Sequence, residues 1–215
     1  MARTTNWSDD FWPLLLQLFL RKPKGKKPTY SRPMVELAME LHVHPKTLAA
    51  KMDEIANVES PHMERLVASF ADNPRRLSRA IRLLRSMKGF NNAEEFYQGV
   101  DTNETFEKFF KPIDQCGDFS PVMLTLVLDL YFRLTPLTMN AATPEVVELS
   151  RLMKTDADSV VSVLETYQGC DPYLTNRRLP ATPLGEACRQ TWQRFAAQEQ
   201  NELAALTEEL KEYFR

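Results

Sequence analysis

Two stretches of the chain, residues 14–55 and 126–167, align in one ungapped register at an offset of 112 residues. Leu14-Leu15-Leu16-Gln17-Leu18-Phe19-Leu20-Arg21 lies over Leu126-Val127-Leu128-Asp129-Leu130-Tyr131-Phe132-Arg133. The same offset carries Met34-Val35-Glu36-Leu37-Ala38 onto Val146-Val147-Glu148-Leu149-Ser150, Thr47-Leu48 onto Ser159-Val160, Met52-Asp53 onto Leu164-Glu165 and Ile55 onto Tyr167. Seven positions are identical, and most other apolar positions stay apolar. One matched amphipathic helix would mean little. A single register through two helical zones and the loop between them marks a diverged internal duplication, which constrains the fold more than any other feature.

Each copy reads as helix, loop, helix, tight turn, helix. The first helix is apolar on nearly all sides (Phe11 to Leu20, Met123 to Phe132), which makes it the buried centre of its lobe. In copy one, Leu37, Ala38 and Leu41 form one face of the next helix, and Val43 plugs the turn. Leu48, Met52 and Ile55 then form the inner face of a further helix that starts at His44-Pro45, proline being tolerated in a first turn. The pattern is that of a helix-turn-helix, whose second helix can lie in the DNA major groove. Structural helical hairpins share this spacing, so the pattern leaves both DNA reading and pure architecture open.

Composition agrees with an all-α chain. Six glycines are too few for the tight turns of a β-rich fold, and the 14 prolines fall mostly between apolar periodic stretches. The expected architecture is two diverged helix-turn-helix-containing lobes joined by linker helices and followed by a long C-terminal helix. The boundaries read as a basic lobe over 1–62, linker helices over 63–118, an acidic lobe over 119–183 and a C-terminal helix over 184–215.

Charge separates the two halves. Residues 1–90 carry a net +7 and residues 91–215 a net −9. In copy one the loop supplies Arg21, Lys22, Lys24, Lys26 and Lys27, Arg32 follows, and Lys46, Thr47 and Lys51 fall at exposed positions of the second helix of the pair. That set suits phosphate contacts. The matching helix of copy two begins Asp156-Ala157-Asp158, would repel a phosphate backbone, and reads as architecture or as a dimer surface. Residues 73–85 form an amphipathic helix with Arg75, Arg76 and Arg79 on one side, which either tracks phosphates or forms a solvated or interlobe face. Phe90, Phe96, Tyr97, Phe106, Phe109 and Phe110 look like an aromatic clamp on the linker helices. The stripe Trp192, Phe195, Leu203, Leu206, Leu210 and Phe214, opposite a row of glutamates, reads as one helix from Leu184 to Arg215 that packs on copy two or pairs with itself in a homodimer.

Trp7-Ser8-Asp9-Asp10, the Leu-rich helix ending Leu18-Phe19-Leu20-Arg21, the Pro/Gly/Lys loop, Val35-Glu36-Leu37-Ala38 and Thr47-Leu48-Ala49-Ala50-Lys51-Met52 resemble the small helical domain upstream of the catalytic module in many bacterial HNH endonucleases. Copy two keeps other parts of that pattern: Leu128-Asp129-Leu130-Tyr131-Phe132-Arg133, Pro144-Glu145-Val146-Val147-Glu148-Leu149-Ser150 and Cys170-Asp171-Pro172. The resemblance covers roughly half the chain and implies a DNA-associated accessory domain. It does not carry nuclease activity across. An HNH centre needs a general-base histidine and metal ligands on a ββα hairpin, whereas the three histidines here, His42, His44 and His62, all lie in or beside the helix-turn-helix.

No catalytic constellation, phosphate-binding glycine loop or metal-spaced Cys/His cluster is visible, so no cofactor and no metal are expected. The N-terminus lacks a signal-peptide pattern, and the run Phe11 to Leu20 is about half the ~20 residues a membrane span needs. Cys116, Cys170 and Cys188 are odd in number and scattered, which suits reduced thiols and a cytoplasmic location. The expected function is non-enzymatic binding of double-stranded DNA through the first copy. The alternative is a protein-interaction adaptor in which both helix-turn-helix units are structural.

Overall fold

Proline marks where the helices begin. Pro13, Pro33, Pro45, Pro74, Pro121, Pro144 and Pro183 each sit in the first turn of a helix, where the missing N–H has no intrahelical partner to lose and the fixed φ suits the helix. The computed structural model describes residues 7–58, 61–70, 73–87, 90, 105–174, 178–197 and 199–215, and among them every regular element is a helix.

The helices fall into two compact units, 1–104 and 105–215. In the first, a short 3₁₀ turn (Asp9–Phe11) leads into α1 (Trp12–Leu20), then α2 (Arg32–Leu41), α3 (Pro45–Asn57), α4 (Pro61–Phe70) and α5 (Pro74–Ser86). The second contains α6 (Thr105–Phe110), α7 (Pro121–Arg133), α8 (Pro144–Met153), α9 (Ala157–Gln168), α10 (Pro183–Phe195) and α11 (Gln200–Lys211). Shifted by 112 residues, α2 falls on the span of α8, and α3 begins where α9 begins. In each unit the first helix of the repeat packs on the other two, which also pack on each other.

The turns between the paired helices match to the level of single hydrogen bonds. His42 ends α2 and Lys154 ends α8, both in the left-handed conformation. Val43 N–H donates to Ala38 O at 3.0 Å, and Thr155 N–H donates to Ser150 O at 3.0 Å. These are the long closing bonds of a Schellman turn, which satisfy carbonyls that the helix end would leave orphaned. Val43 is buried in its turn, as its place in the pattern predicts.

The apolar first helices are the centres of their units. Trp12, Leu14, Leu15, Leu16 and Leu18 of α1 are buried, and α1 packs against α2, α3 and α5. In α7 every residue from Val122 to Tyr131 is buried, because α6, α8, α9, α10 and α11 all pack on it. Two polar side chains on this central helix are satisfied locally. Thr125 Oγ1 donates to Pro121 O at 2.8 Å, and Asp129 pairs with Arg133 at 2.9 Å. Tyr167, the counterpart of Ile55, is fully buried, and its hydroxyl donates to Leu124 O at 2.9 Å.

Three expectations from the sequence change. The C-terminal stretch is helical, but it is two helices, α10 and α11, rather than one from Leu184 to Arg215. A straight helix of that length would run about 48 Å, more than twice the ~20 Å of α7 at 1.5 Å per residue. Breaking it lets both halves lie on α7, with Phe195, Leu203 and Leu210 buried. The segment 63–118 is divided between the units rather than standing apart: α5 packs on α1, and α6 packs on α7. The aromatics are divided likewise. Phe90 meets Phe11 edge-on at 6.2 Å in the first unit, while Phe106 and Phe110 are buried in the second. Phe96 and Tyr97 lie outside the described residues.

Candidate nucleic-acid interface

The loop between α1 and α2 is held in shape by its own lysines. Lys27 Nζ turns back to donate to Arg21 O at 2.9 Å and to Pro23 O. Lys26 forms an ion pair with Asp53 of α3, and Lys27 N–H approaches Met52 Sδ at 3.3 Å. Gly25, at φ 117, occupies backbone space that side chains rarely adopt, and its N–H donates to Phe19 O at 2.9 Å. Lys26 and Lys27 thus have partners within the protein, all at exposed positions. Arg21, Lys22 and Lys24 remain exposed, with no ion pair among the described residues.

On α3, positions 46, 50 and 53 share one face. Lys46 and Ala50 are exposed, and Asp53 holds Lys26. The loop is therefore tied to the stripe that Lys46 starts, about 10 Å farther along the helix axis at 1.5 Å per residue. His44 precedes α3 and accepts the Lys46 N–H on Nδ1 at 3.1 Å. Thr47 is half-buried beside Lys46.

Lys51 is half-buried, and its ammonium is already engaged within the protein. Its ammonium lies 5.3 Å from the Trp12 ring centre, 5.7 Å from that of Trp7, and 2.7 Å from Glu54 Oε1. The sequence read it as an outward cation because lysine is usually outward. The repeat itself held the corrective signal. The position matching Lys51 is Val163 and that matching Lys27 is Met139, both buried, whereas the two lysines are half-buried.

The remaining predicted cations are spread over two other places. Arg32 pairs with Glu36 at 3.6 Å on α2. Arg21, Glu36, Glu40 and Arg85 line a cleft of ≈ 130 Å³ between α1, α2 and α5, so carboxylates offset the charge around Arg21. Arg75 and Arg79 are exposed on α5 with Arg82, spaced i, i+4, i+7, and Arg76 stacks on Phe70 at 5.6 Å. Among the described residues, none of Arg75, Arg76 and Arg79 makes a hydrogen bond or ion pair to the loop or α3. They form a second cationic strip, on a helix pinned to α2 by a two-point Arg85–Glu40 bond at 2.6 and 2.8 Å. Sequence reasoning missed that pin. The carboxylate raises the Arg85 pKa further.

The equivalent place in the second unit has opposite chemistry. Asp156 caps α9, accepting from Ser159 N at 2.7 Å and from Ser159 Oγ at 2.6 Å. Those bonds hold its carboxyl below the usual carboxylate range. Asp158 is exposed in the first turn of α9. The loop before α8 carries no lysine. It is closed by Thr138, whose N–H donates to Thr135 O and whose Oγ1 accepts from Thr135 N–H, at 2.9 and 3.0 Å.

Among the described residues no group of three or more His, Cys, Asp and Glu side chains is placed to hold a metal, and no helix is long and apolar enough to cross a membrane. The three cysteines are free thiols, with Cys116 and Cys188 buried and Cys170 half-buried. No protein-family model, curated protein or solved structure matches the chain, so the likeness to the HNH-associated helical domain rests on the quoted residues alone.

Proposed function

We propose that α2–α3 and α8–α9 are helix-turn-helix pairs of a duplicated, non-enzymatic, cytoplasmic protein, and that the first unit binds double-stranded DNA. The supporting observation is the way the loop spends its lysines. Lys26 and Lys27 have partners within the protein, while Lys22 and Lys24 are exposed with no ion pair among the described residues, on the loop that Lys26 ties to the α3 face carrying Lys46. A loop ordered before binding loses less entropy when a phosphate backbone arrives. Beyond Lys46 and Thr47, the exposed face of α3 offers Ala50 and an internally neutralised Asp53, few groups to reach base edges. Binding through this surface is dominated by phosphate contacts rather than base readout.

Titration of labelled duplex DNA at low and moderate salt tests the reading. Binding should weaken steeply with salt, and replacing Lys22, Lys24 and Lys46 together with alanine should lower the slope of log K against log salt by roughly three. No binding at micromolar protein, or binding indifferent to salt, would overturn it.

A second reading, a protein-interaction adaptor, has its own support in the second unit. Leu137 is 92% exposed and Tyr173 91% exposed. Both sit on turns ordered by side-chain bonds, Thr138 to Thr135 and Asp171 to the Tyr173 N–H at 2.9 Å. Ordered, exposed apolar side chains suit protein docking. Acidic α9 and α11 would make a basic protein or a second copy of the chain the natural partner.

A further inference from the structure

Within the second unit, α6, the segment after it and α10 line a half-open cleft of ≈ 190 Å³. Ala187, Thr191 and Phe195, spaced i, i+4, i+8 along α10, form one wall, with Phe109 and Ile113 opposite. The Thr191 hydroxyl is already satisfied, donating to Ala187 O at 2.9 Å, so it demands nothing polar of an occupant. Arg194 stands at the edge with its guanidinium 5.4 Å from the Phe109 ring centre and 5.1 Å from that of Phe195. Stacking on two rings orients the planar fork and leaves its N–H groups to be matched. Among the described residues no ion pair reaches Arg194, and no carboxylate lines the cleft. Lys108 also lines the cleft.

We propose that this cleft binds a small apolar carboxylate, with its hydrocarbon group between Phe109, Ile113 and the α10 wall and its carboxylate on Arg194. The chemistry follows from the parts. A cavity of about 150 Å³ lined by apolar side chains is enough to hold benzene, so this cleft takes a phenyl ring or a branched chain with a short linker. A guanidinium matches a carboxylate with two parallel hydrogen bonds, which a neutral amide cannot reproduce. A more compact anion without hydrocarbon would leave the apolar walls wet. The inference is independent of DNA binding by the first unit.

The test uses the whole chain, 4-phenylbutyrate as probe and 4-phenylbutanamide as its neutral counterpart, followed by methyl NMR of Ile113, Ala187 and Thr191. The acid should shift these methyl signals saturably, bind at least tenfold more tightly than the amide, and lose that advantage in Arg194→Gln. Arg194 is exposed, so the variant keeps the fold, which the dispersion of the same spectra verifies. Unmoved cleft methyl signals, equal affinity for acid and amide, or an acid affinity unchanged in Arg194→Gln would each overturn the proposal.

Discussion

His42 and Lys154, 112 positions apart, hold the same left-handed backbone, at φ 52 and φ 58. Neither is glycine, although the conformation crowds any Cβ. Each stays there because the next residue, Val43 or Thr155, must turn its N–H back onto the helix it has just left. The two stretches differ in charge and side-chain size but share this left-handed residue at one register.

Lys154→Gly should therefore stabilise the second unit by about 1 kcal/mol, since glycine carries no left-handed penalty. Lys154→Val should destabilise it by a similar amount or more, because a β-branched residue fits that region worst. Urea unfolding midpoints at neutral pH measure both. Equal stability of the glycine and valine variants would mean that the turn does not hold this conformation in solution.

Asp156 predicts a pH dependence. Its folded carboxyl is held low by the bonds from Ser159, so its stabilising effect is fully present above the unfolded carboxylate range, about pH 4. The effect is lost as pH falls through the lower folded value. Asp156→Asn, which keeps the cap but cannot ionise, should unfold with a flatter acid limb than the parent, whereas Asp156→Ala should melt lower at neutral pH as well. Thermal melts between pH 2 and 7 separate the three proteins.

Tyr167 and Tyr131 govern the alkaline side. Burial pushes both phenols well above their ordinary value, and for Tyr131 the bond to Asp171 at 2.7 Å adds to the shift. The sign runs opposite to that of Asp156: their contribution is complete below about pH 10 and is lost as pH rises through the raised values. Tyr167→Phe should cost about 1 kcal/mol for the lost bond to Leu124 O, and Tyr167→Ala roughly 3–5 kcal/mol for the cavity. Phenolate absorbance near 295 nm should show these two tyrosines ionising only as the unit unfolds.

The lysines of the first loop should divide into two classes. Lys22→Ala or Lys24→Ala should lower the salt slope of DNA binding by roughly one each and leave stability within about 0.5 kcal/mol. Lys27→Ala should disturb the loop itself, because its ammonium joins Arg21 O and Pro23 O. Circular dichroism melts beside the binding titration tell the two effects apart. Asp156→Ala and Asp158→Ala should leave DNA binding unchanged.

Much of the frame is legible in the sequence. The ungapped register located α2 and α8, the prolines marked the helix starts, and the all-round apolar runs identified the buried helices. All three are local or repeated signals carried by the chain itself. The break between α10 and α11 was not legible. Phe195, Leu203 and Leu210 keep one stripe across it, and no proline or glycine interrupts the residues between them. The partnered cations were hidden for a different reason. Lys26 meets Asp53 and Lys51 meets two tryptophans only after the chain has folded, and lysine by itself announces neither contact. The apolar residues at the matching positions, Met139 and Val163, point to burial, but only for a reader who uses one copy to interpret the other.

The two connecting loops, so unlike in composition, join matching helices over 21–31 and 134–143, within one residue of the same length. Length is held by the scaffold to that margin, while chemistry is free to drift. Each loop is thus an exchangeable cassette: the lysines could be transplanted into the second unit, with Met139 retained as the inward plug, and the charge would move while the helices stayed in place.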